Sequence, residues 1–309
     1  MKQENKAIVC AGVAVLSWST VASAFKIALS HLTSFELLLI ASCTALLIFT
    51  CTLSLQKKWS LVRSLSRKQW GRFVWMGLLN PVLYYLVLFR AYDLLPAQIA
   101  QPINYTWPIV LLVLLSLFAG QPIPKKKYIG MFLSFGGVAC ISFGAGSLGG
   151  EPISVAGILL AVLTAFLWAS YWIVTNRYND VDGTVALFAG FLFGTFYLVI
   201  GAFVVGISIH SLSGLLSGMY VGAFEIGIPF ACFGYAMRKT NNPALVNQMC
   251  YLSPFLSLFF IHAVLGEQIV FSTYIGLLLI VSGIVFNARQ KQASHLFPSN
   301  KTKVSSYRN

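Results

Sequence analysis

The sequence predicts an all-α integral membrane protein with ten transmembrane helices, arranged as two inverted repeats of five helices each. Three observations predict this fold: a composition that is 58% hydrophobic and only 9% charged, a series of long apolar stretches, and one residue pattern that occurs twice. Soluble proteins carry about 25% charged residues. This chain therefore lacks the polar residues to cover a water-facing surface, and its composition selects a membrane bundle.

Long apolar stretches recur ten times along the chain. The hydrocarbon core of a bilayer, about 30 Å thick, is spanned by about 20 apolar residues in a helix. The predicted spans are Ala7–Ala28, Ser34–Leu55, Arg72–Ala91, Ala97–Ala119, Tyr128–Gly146, Ile153–Thr175, Thr184–Gly206, Leu215–Met237, Pro243–Val264 and Phe271–Ala288. The connections are short and contain proline, glycine and asparagine, which punctuate helices.

The first stretch also has features of a secretory signal peptide. Lys2 and Lys6 precede its apolar run, and small residues occupy positions 21–24. The run continues through Leu29, however, and Lys26 fits poorly just after a cleavage site. We therefore expect this stretch to be a retained transmembrane helix.

One residue pattern occurs twice, and its two copies are 146 positions apart. The matched residues are Tyr105, Pro108, Gly120, Tyr128, Ile129, Gly130 and Gly137 in the first copy, and Tyr251, Pro254, Gly266, Tyr274, Ile275, Gly276 and Gly283 in the second. A duplicated bundle of membrane helices is the simplest cause, and such bundles are most often transporters. The pattern assigns residues 1–146 to the first repeat and residues 153–288 to the second.

The lysines and arginines predict the orientation in the membrane. Nineteen of the 21 fall in alternate connections and in the termini, and the exceptions are Lys26 and Arg90. The positive-inside rule then places both termini in the cytoplasm, with residues 289–309 as a disordered cytoplasmic tail. Five spans per repeat force the second repeat to insert upside-down. The net charge of +13 therefore reflects the orientation of the helices in the membrane. We expect no nucleic-acid partner.

The cysteines and histidines predict no metal and no cofactor. All six cysteines fall in apolar stretches without a CxxC pair, and the four histidines are scattered. These patterns fit neither a disulfide framework nor a zinc site. We interpret the cysteines as small apolar helix residues.

Polar groups inside the spans are the candidates for function, because each needs a partner away from lipid. Glu225, near the centre of the eighth span, is the only carboxylate predicted at mid-membrane. Intramembrane acids default to a functional role, and we hypothesise that Glu225 couples transport to protons. The alternative is a neutral acid that bridges two helices.

The fourth and ninth spans carry polar residues beside prolines at matching positions. A proline inside a helix frees a backbone carbonyl, so both helices are expected to be kinked beside a cavity. Two helices broken at equivalent places in two halves point to a transport site. The alternative for any single residue is a polar contact between helices. The predicted binding residues are Gln101, Asn104, Tyr105 and Trp107 in the fourth span, and Gln248 and Tyr251 in the ninth.

Aromatic residues in the first, third and sixth spans complete the predicted pocket. Trp168 and Tyr171 share one face of the sixth span, Trp18 lies at similar depth in the first, and Asn80 and Tyr84 belong to the third. Aromatic stripes more often serve packing or the membrane interface. The depth of the two tryptophans favours a pocket, however.

The predicted pocket is aromatic, rich in amides and poor in fixed charge. Such a pocket suits a small, partly apolar metabolite that is zwitterionic or neutral. Lys26 or Arg90 would supply a positive charge for a carboxylate, or would instead extend to the membrane interface.

Nearly the whole chain resembles the EamA-like branch of the drug/metabolite transporter superfamily. The most typical part runs from Pro254 through Gly266-Glu267 to Gly283, whereas in the first copy Gln121 replaces the usual glutamate. Shorter words resemble bacterial aromatic amino-acid exporters of this superfamily: Trp18-Ser19-Thr20 with Lys26, Asn104-Tyr105, Trp107-Pro108, Gly120-Gln121, Trp168-Ala169 with Tyr171, and Thr175-Asn176. The resemblance implies ten helices in two inverted repeats around a central cavity.

The residues and the resemblance together predict a secondary transporter of the inner membrane, not an enzyme. It would export small metabolites, namely amino acids (aromatic ones among them) or related compounds, by alternating access. The alternatives are a permease for drugs or other metabolites, an intramembrane enzyme, and a membrane receptor. An enzyme would need clustered catalytic groups, and none is visible in the sequence. The expected partners are a small-molecule substrate and the lipid bilayer.

Overall fold

The computed structural model describes residues 3–119, 123–144, 153–177, 180–208, 211–241, 246 and 249–289. In this part of the chain all regular structure is helical. The α-helices are α1 Gln3–Leu29, α2 Ser34–Leu55, α3 Trp59–Arg63, α4 Arg67–Gly77, α5 Tyr84–Leu94, α6 Ala97–Asn104, α7 Trp107–Ala119, α8 Lys127–Gly144, α9 Val155–Arg177, α10 Gly183–Val205, α11 Leu212–Val221, α12 Ile228–Lys239, α13 Ser253–Leu265 and α14 Phe271–Arg289.

The described helices include many that are suited to cross a membrane. Seven segments are long and apolar enough: Gln3–Leu29, Ser34–Leu55, Arg67–Leu94, Ala97–Phe118, Val155–Thr175, Gly183–Val205 and Leu212–Lys239. Three shorter apolar helices are Lys127–Ile141, Cys250–Leu265 and Phe271–Asn287. Each overlaps a predicted stretch, which confirms the all-helical membrane class. The predicted disordered tail lies outside the described residues, apart from its first residue, which ends α14.

Helix starts follow local capping signals. Thr33 precedes α2 and forms a capping box with Glu36, while Ser66 and Gln69 form another at the start of α4. Such boxes satisfy backbone N–H groups that have no partner within the helix. The cap at Ser66 explains why α4 begins five residues before the predicted start at Arg72.

Two spans are interrupted by a π-helical turn near a proline. One turn, Leu78–Leu83, joins α4 to α5 and holds Asn80 in a non-helical conformation, with φ −144° and ψ 117°. The other, Gly222–Gly227, joins α11 to α12, which has Pro229 in its first turn. Proline lacks the N–H that continues an α-helix, so the hydrogen-bond ladder must change there.

The fourth predicted span consists of two helices. The chain is helical to Asn104, turns at Tyr105 and Thr106, and resumes as α7 at Trp107. The predicted kink in this span is therefore a complete break. In the ninth span, a 3₁₀ turn at Cys250–Leu252 precedes α13.

Helices α8 and α14 pack against each other through glycines that allow their backbones to meet. A Cβ atom added at Gly137 would collide with the carbonyl oxygen of Gly276, and one at Gly276 would collide with that of Gly137. Gly130 and Gly283 show the same mutual contact. Gly130 contacts Gly283, and Gly137, seven residues later, contacts Gly276, seven residues earlier. The two helices are therefore antiparallel.

The contacts between α8 and α14 follow the 146-residue offset of the repeated pattern. Ser134 Oγ donates to the Ile280 carbonyl oxygen at 3.1 Å, and these two residues are 146 positions apart. Gly130 and Gly137 are likewise 146 positions from Gly276 and Gly283. Gly130 thus touches the counterpart of Gly137, Gly137 touches the counterpart of Gly130, and Ser134 between them bonds to its own counterpart.

Ion pairs join connecting segments on one face of the bundle. Lys58 Nζ lies 2.8 Å from Asp182, and the Arg72 guanidinium lies 2.7 Å from Asp180. The hydrogen bonds from Arg72 hold the pKa of Asp180 well below its usual range. On the same face Glu4 accepts from Thr240 Oγ1 at 2.7 Å. We call this side the basic face, and the other side the opposite face.

We expect Gly137→Val to lower the unfolding temperature of the purified protein in detergent. Overpacking of a tight contact costs about 1–3 kcal/mol, and here backbone would have to move. Thermal unfolding followed by fluorescence measures the effect. Gly136→Val is the matched control, because a Cβ atom at Gly136 meets nothing within 4 Å. Equal unfolding temperatures for the two variants would contradict the glycine contact.

Candidate functional site

A cavity of about 330 Å³ lies among α1, α5, α6, α9 and α12. Most of its wall is apolar, and many of the lining side chains are aromatic. The lining residues are Trp18, Val21, Phe25, Tyr84, Leu88, Tyr92, Gln101, Asn104, Tyr105, Trp107, Trp168, Tyr171, Trp172, Thr175, Gly183, Leu187, Glu225, Phe230, Phe233, Gly234, Arg238, Cys250 and Tyr251.

Ten of the twelve predicted binding residues line this cavity. They are Trp18, Tyr84, Gln101, Asn104, Tyr105, Trp107, Trp168, Tyr171, Glu225 and Tyr251. Asn80 does not line it: this residue is buried in the π-helical turn between α4 and α5. Gln248 lies outside the described residues. Separate stretches of sequence thus contribute to one concave surface.

Glu225 is buried at the centre of the cavity wall, with 9% of its surface exposed. Its Oε1 accepts a hydrogen bond from the Tyr85 hydroxyl at 3.2 Å. Its backbone carbonyl accepts one from Trp18 Nε1 at 3.1 Å. The second carboxylate oxygen, Oε2, has no hydrogen-bond partner among the described residues. This oxygen is the strongest acceptor that the described wall offers to a ligand.

Pro229 explains why the Glu225 carbonyl bonds to a tryptophan. In a continuous α-helix the N–H of residue 229 would donate to the carbonyl of residue 225, and proline has no N–H. A backbone carbonyl left unpaired away from water costs several kcal/mol. The indole of Trp18 satisfies it, and this bond joins α1 to the broken helix beside the cavity.

Two predicted amide side chains form contacts between helices. Asn104 Nδ2 donates to Thr164 Oγ1 at 2.7 Å and lies 3.4 Å from the Tyr84 hydroxyl. Gln101 Oε1 accepts from the Ser257 hydroxyl. Both residues therefore serve as polar contacts between helices and also line the cavity. The two interpretations made from the sequence are compatible at these positions.

Aromatic rings surround the middle of the cavity. The Trp168 ring lies 4.8 Å from Tyr84, 5.6 Å from Tyr171 and 5.9 Å from Phe230, measured between centroids. Trp18 lies 6.4 Å from the same Phe230. Packed rings of this kind hold each other in place and leave flat faces for an apolar ligand.

The cavity is closed toward the opposite face. Phe25 packs edge-on against Tyr92, with centroids 5.0 Å apart. Just beyond these rings, Lys26 Nζ donates to the carbonyl oxygens of Tyr92 at 2.9 Å and Leu95 at 3.2 Å. Glu267 accepts from the N–H of Ala97 at 3.0 Å, at the start of α6. This layer of bonds links both halves of the chain across the closed end.

The two cations proposed as carboxylate partners lie outside the cavity. Lys26 is engaged by backbone carbonyls at the closed end. Arg90 pairs with Asp93, three residues later on the exposed end of α5. Neither residue is in the cavity lining.

The cavity extends toward the basic face. Its lining there includes Thr175, Gly183, Leu187 and Arg238. Arg238 is exposed, and its guanidinium passes close to Gly183. Arg238 directly follows the predicted eighth span and was not predicted to line the cavity. Its place at the end of an apolar helix was the available signal.

Phe230 and Phe233 also line the cavity and were not predicted. Their spacing of three residues places them on one helical face with Pro229 in the preceding turn, which was the available signal. Among the described residues no group of three histidine, cysteine, aspartate or glutamate side chains is placed to hold a metal ion.

Comparison with known proteins relates the chain to transporters. The model of the EamA-like transporter family matches residues 5–143 and 155–289. An uncharacterized transporter, YvbV of Bacillus subtilis, is 28% identical over 234 residues, covering 73% of this chain and 74% of its own. Protein PecM of Dickeya dadantii is 25% identical over 75% of this chain and 80% of its own.

A third relative and one solved structure add detail. The aromatic amino acid exporter YddG of Ancylobacter novellus is 26% identical over 63% of this chain and 67% of its own. A crystal structure that is 22% identical has the same fold, with a TM-score of 0.65 over 92% of this chain and 96% of its own. Two of these three relatives are named as a transporter or an exporter, and none is named as an enzyme. The chain belongs to the EamA-like transporter family.

Proposed function

We propose that the protein is a secondary transporter of the inner membrane that exports amino acids or related small compounds, aromatic ones in particular, by alternating access. The observation that carries this proposal is the cavity around Glu225, which is walled by aromatic rings, extends toward the basic face and is closed toward the opposite face. A cavity that is open toward one side only is one of the two states of an alternating-access transporter.

The architecture we propose is ten transmembrane helices in two inverted five-helix repeats. The mutual contacts of Gly130 with Gly283 and of Gly137 with Gly276 support it, because they follow the 146-residue offset and join antiparallel helices. The family model also matches the chain twice, over residues 5–143 and 155–289. In this arrangement the two repeats rock about the glycine contact.

The orientation we propose places the basic face and both termini in the cytoplasm. The distribution of lysine and arginine supports it through the positive-inside rule. The cavity then faces the cytoplasm, where an exporter collects its substrate. Opening to the outside would require the Lys26 bonds to Tyr92 and Leu95 to break, together with the Glu267 contact at the start of α6.

The proposed cargo rests on the cavity wall and on the relatives. Rings of Trp18, Trp168, Tyr171 and Phe230 offer flat apolar faces to an aromatic side chain. The cavity volume of about 330 Å³ lies in the range of pockets that bind small molecules. Three relatives carry the name aromatic amino acid exporter.

We expect purified protein in proteoliposomes to move labelled tryptophan, and Trp168→Ala to reduce the rate at least tenfold. Loss of the central ring removes a contact on which three other rings pack. Initial rates of counterflow measure the effect. Trp75→Ala is the matched control, because Trp75 is 72% exposed and far from the cavity lining. A rate for Trp168→Ala equal to that of the control would exclude this site.

We propose, in addition, that Glu225 couples transport to protons. Tyr85 binds it directly. The other titratable groups of the described lining are the hydroxyls of Tyr84, Tyr92, Tyr105, Tyr171 and Tyr251, the thiol of Cys250 and the guanidinium of Arg238. Glu225→Gln keeps the shape and the acceptor for Tyr85 but cannot change charge. We expect this variant to lose the pH dependence of the transport rate between pH 5 and pH 9. Wild-type rates at every pH would contradict the role.

The proposed orientation predicts which side of the membrane reaches the cavity. In a variant without the six native cysteines, Leu187→Cys should react with an impermeant thiol reagent in inside-out vesicles and not in intact cells. Leu198→Cys is the control, because Leu198 lies on the same helix, is 1% exposed and does not line the cavity. Modification of Leu187→Cys only from outside would overturn the orientation.

A further inference from the structure

The charged side chains of the described cavity lining lie at two separate depths. Glu225 is its one acid, at the centre, and Arg238 is its one base, at the basic face. The two belong to the same broken helix, 13 residues apart, but the Arg238 guanidinium reaches back to Gly234, where an added Cβ atom would lie 3.4 Å from its Nη1. A helix rises about 1.5 Å per residue, so the stretch from Glu225 to Gly234 separates the two charges by roughly 13 Å along its axis. A ligand whose two charges sit on one carbon atom cannot reach both.

No other described cation is available near Glu225. Lys26 donates to two carbonyl oxygens at the closed end, and Arg90 pairs with Asp93 outside the cavity. A carboxylate bound beside the aromatic rings would therefore meet neutral donors at best. An ionised group in a low-dielectric site is costly unless an opposite charge compensates it.

The surroundings of Glu225 suit an organic ammonium group. Tyr85 holds one carboxylate oxygen, and Oε2 has no partner among the described residues. Asn104 uses its amide nitrogen for Thr164, which leaves its oxygen as a second acceptor in the lining. Trp18, whose indole nitrogen donates to the Glu225 backbone, lines the same cavity. Tryptophan rings attract cations to their electron-rich faces.

Charge balance favours an amine over an amino acid at this site. An ammonium ion beside ionised Glu225 gives a net charge of zero in the buried part of the cavity. A zwitterion in the same place leaves one negative charge without a partner. A deaminated acid adds a second negative charge to that of Glu225, which is the least favourable arrangement.

We propose that Glu225 recognises the protonated amino group of the substrate and that the site makes no charged contact with a carboxylate, so that arylalkylamines without a carboxylate are bound as cargo. This inference rests on the proposed function and names the chemical class that the site selects. The amino group is the recognised charge, and the aromatic side chain occupies the ring-lined wall.

The test compares three indole compounds that differ in whether the side chain carries an amino group, a carboxylate or both. Binding of tryptamine, tryptophan and indole-3-propionate to the purified protein is measured by calorimetry at pH 7.5. We expect tryptamine to bind at least as tightly as tryptophan, and at least tenfold more tightly than indole-3-propionate. Glu225→Gln should weaken tryptamine binding at least tenfold, while Glu4→Gln, the same change at a carboxylate outside the cavity lining, should change it less than twofold. Thermal unfolding of each variant verifies that it is folded.

Three results would overturn the inference. Tighter binding of tryptophan than of tryptamine would show that a carboxylate is recognised, and a loss of tryptophan binding in Arg238→Gln would locate its partner. Equal binding of all three compounds would show that the site does not recognise the amino group. The proposed transport of aromatic compounds would be unaffected by this result. Absence of binding by every indole compound would overturn this inference together with the aromatic cargo.

Discussion

The bond between the Trp18 indole and the Glu225 carbonyl is the interaction on which the site depends. Pro229 lacks the N–H that would donate to this carbonyl in a continuous α-helix. The indole of Trp18 donates to it at 3.1 Å, which fixes the first helix against the interrupted one and places an aromatic ring in the cavity wall that also holds the buried Glu225. We propose that a cation binds beside this carboxylate.

The contact between α8 and α14 follows the 146-residue offset, whereas the cavity lining departs from it. The glycines of α8 meet glycines of α14 that the repeated pattern matches to them, and Ser134 bonds to its own counterpart, Ile280. Asn104, which bonds to Thr164, has Cys250 as its counterpart, and both line the cavity. Glu267 contacts the start of α6, whereas its counterpart is Gln121. Positions related by the offset therefore differ in chemistry at the site.

Much of the fold and of the site followed from local signals in the sequence. The length of the apolar stretches indicated the spans, and prolines indicated where the helices are interrupted. Polar groups are rare in apolar sequence, which identified Glu225, Asn104 and Gln101. What could not be predicted depends on contacts between distant segments. The sequence left Lys26 with two possible roles, because the carbonyls that bind it belong to residues 92 and 95. Asn80 is buried instead of lining the cavity for the same reason: its direction is set by the π-helical turn.

We propose that cargo passes through the cavity around Glu225. The most direct measurement is efflux of labelled tryptophan from proteoliposomes that contain a cysteine-free variant with Thr175→Cys, a lining position. Efflux is recorded before and after the thiol is modified with a bulky maleimide, and a cysteine-free protein treated in the same way is the control. We expect modification to abolish efflux in the Thr175→Cys variant alone. Undiminished efflux after complete modification would exclude transport through this cavity, because cargo would then cross by another path.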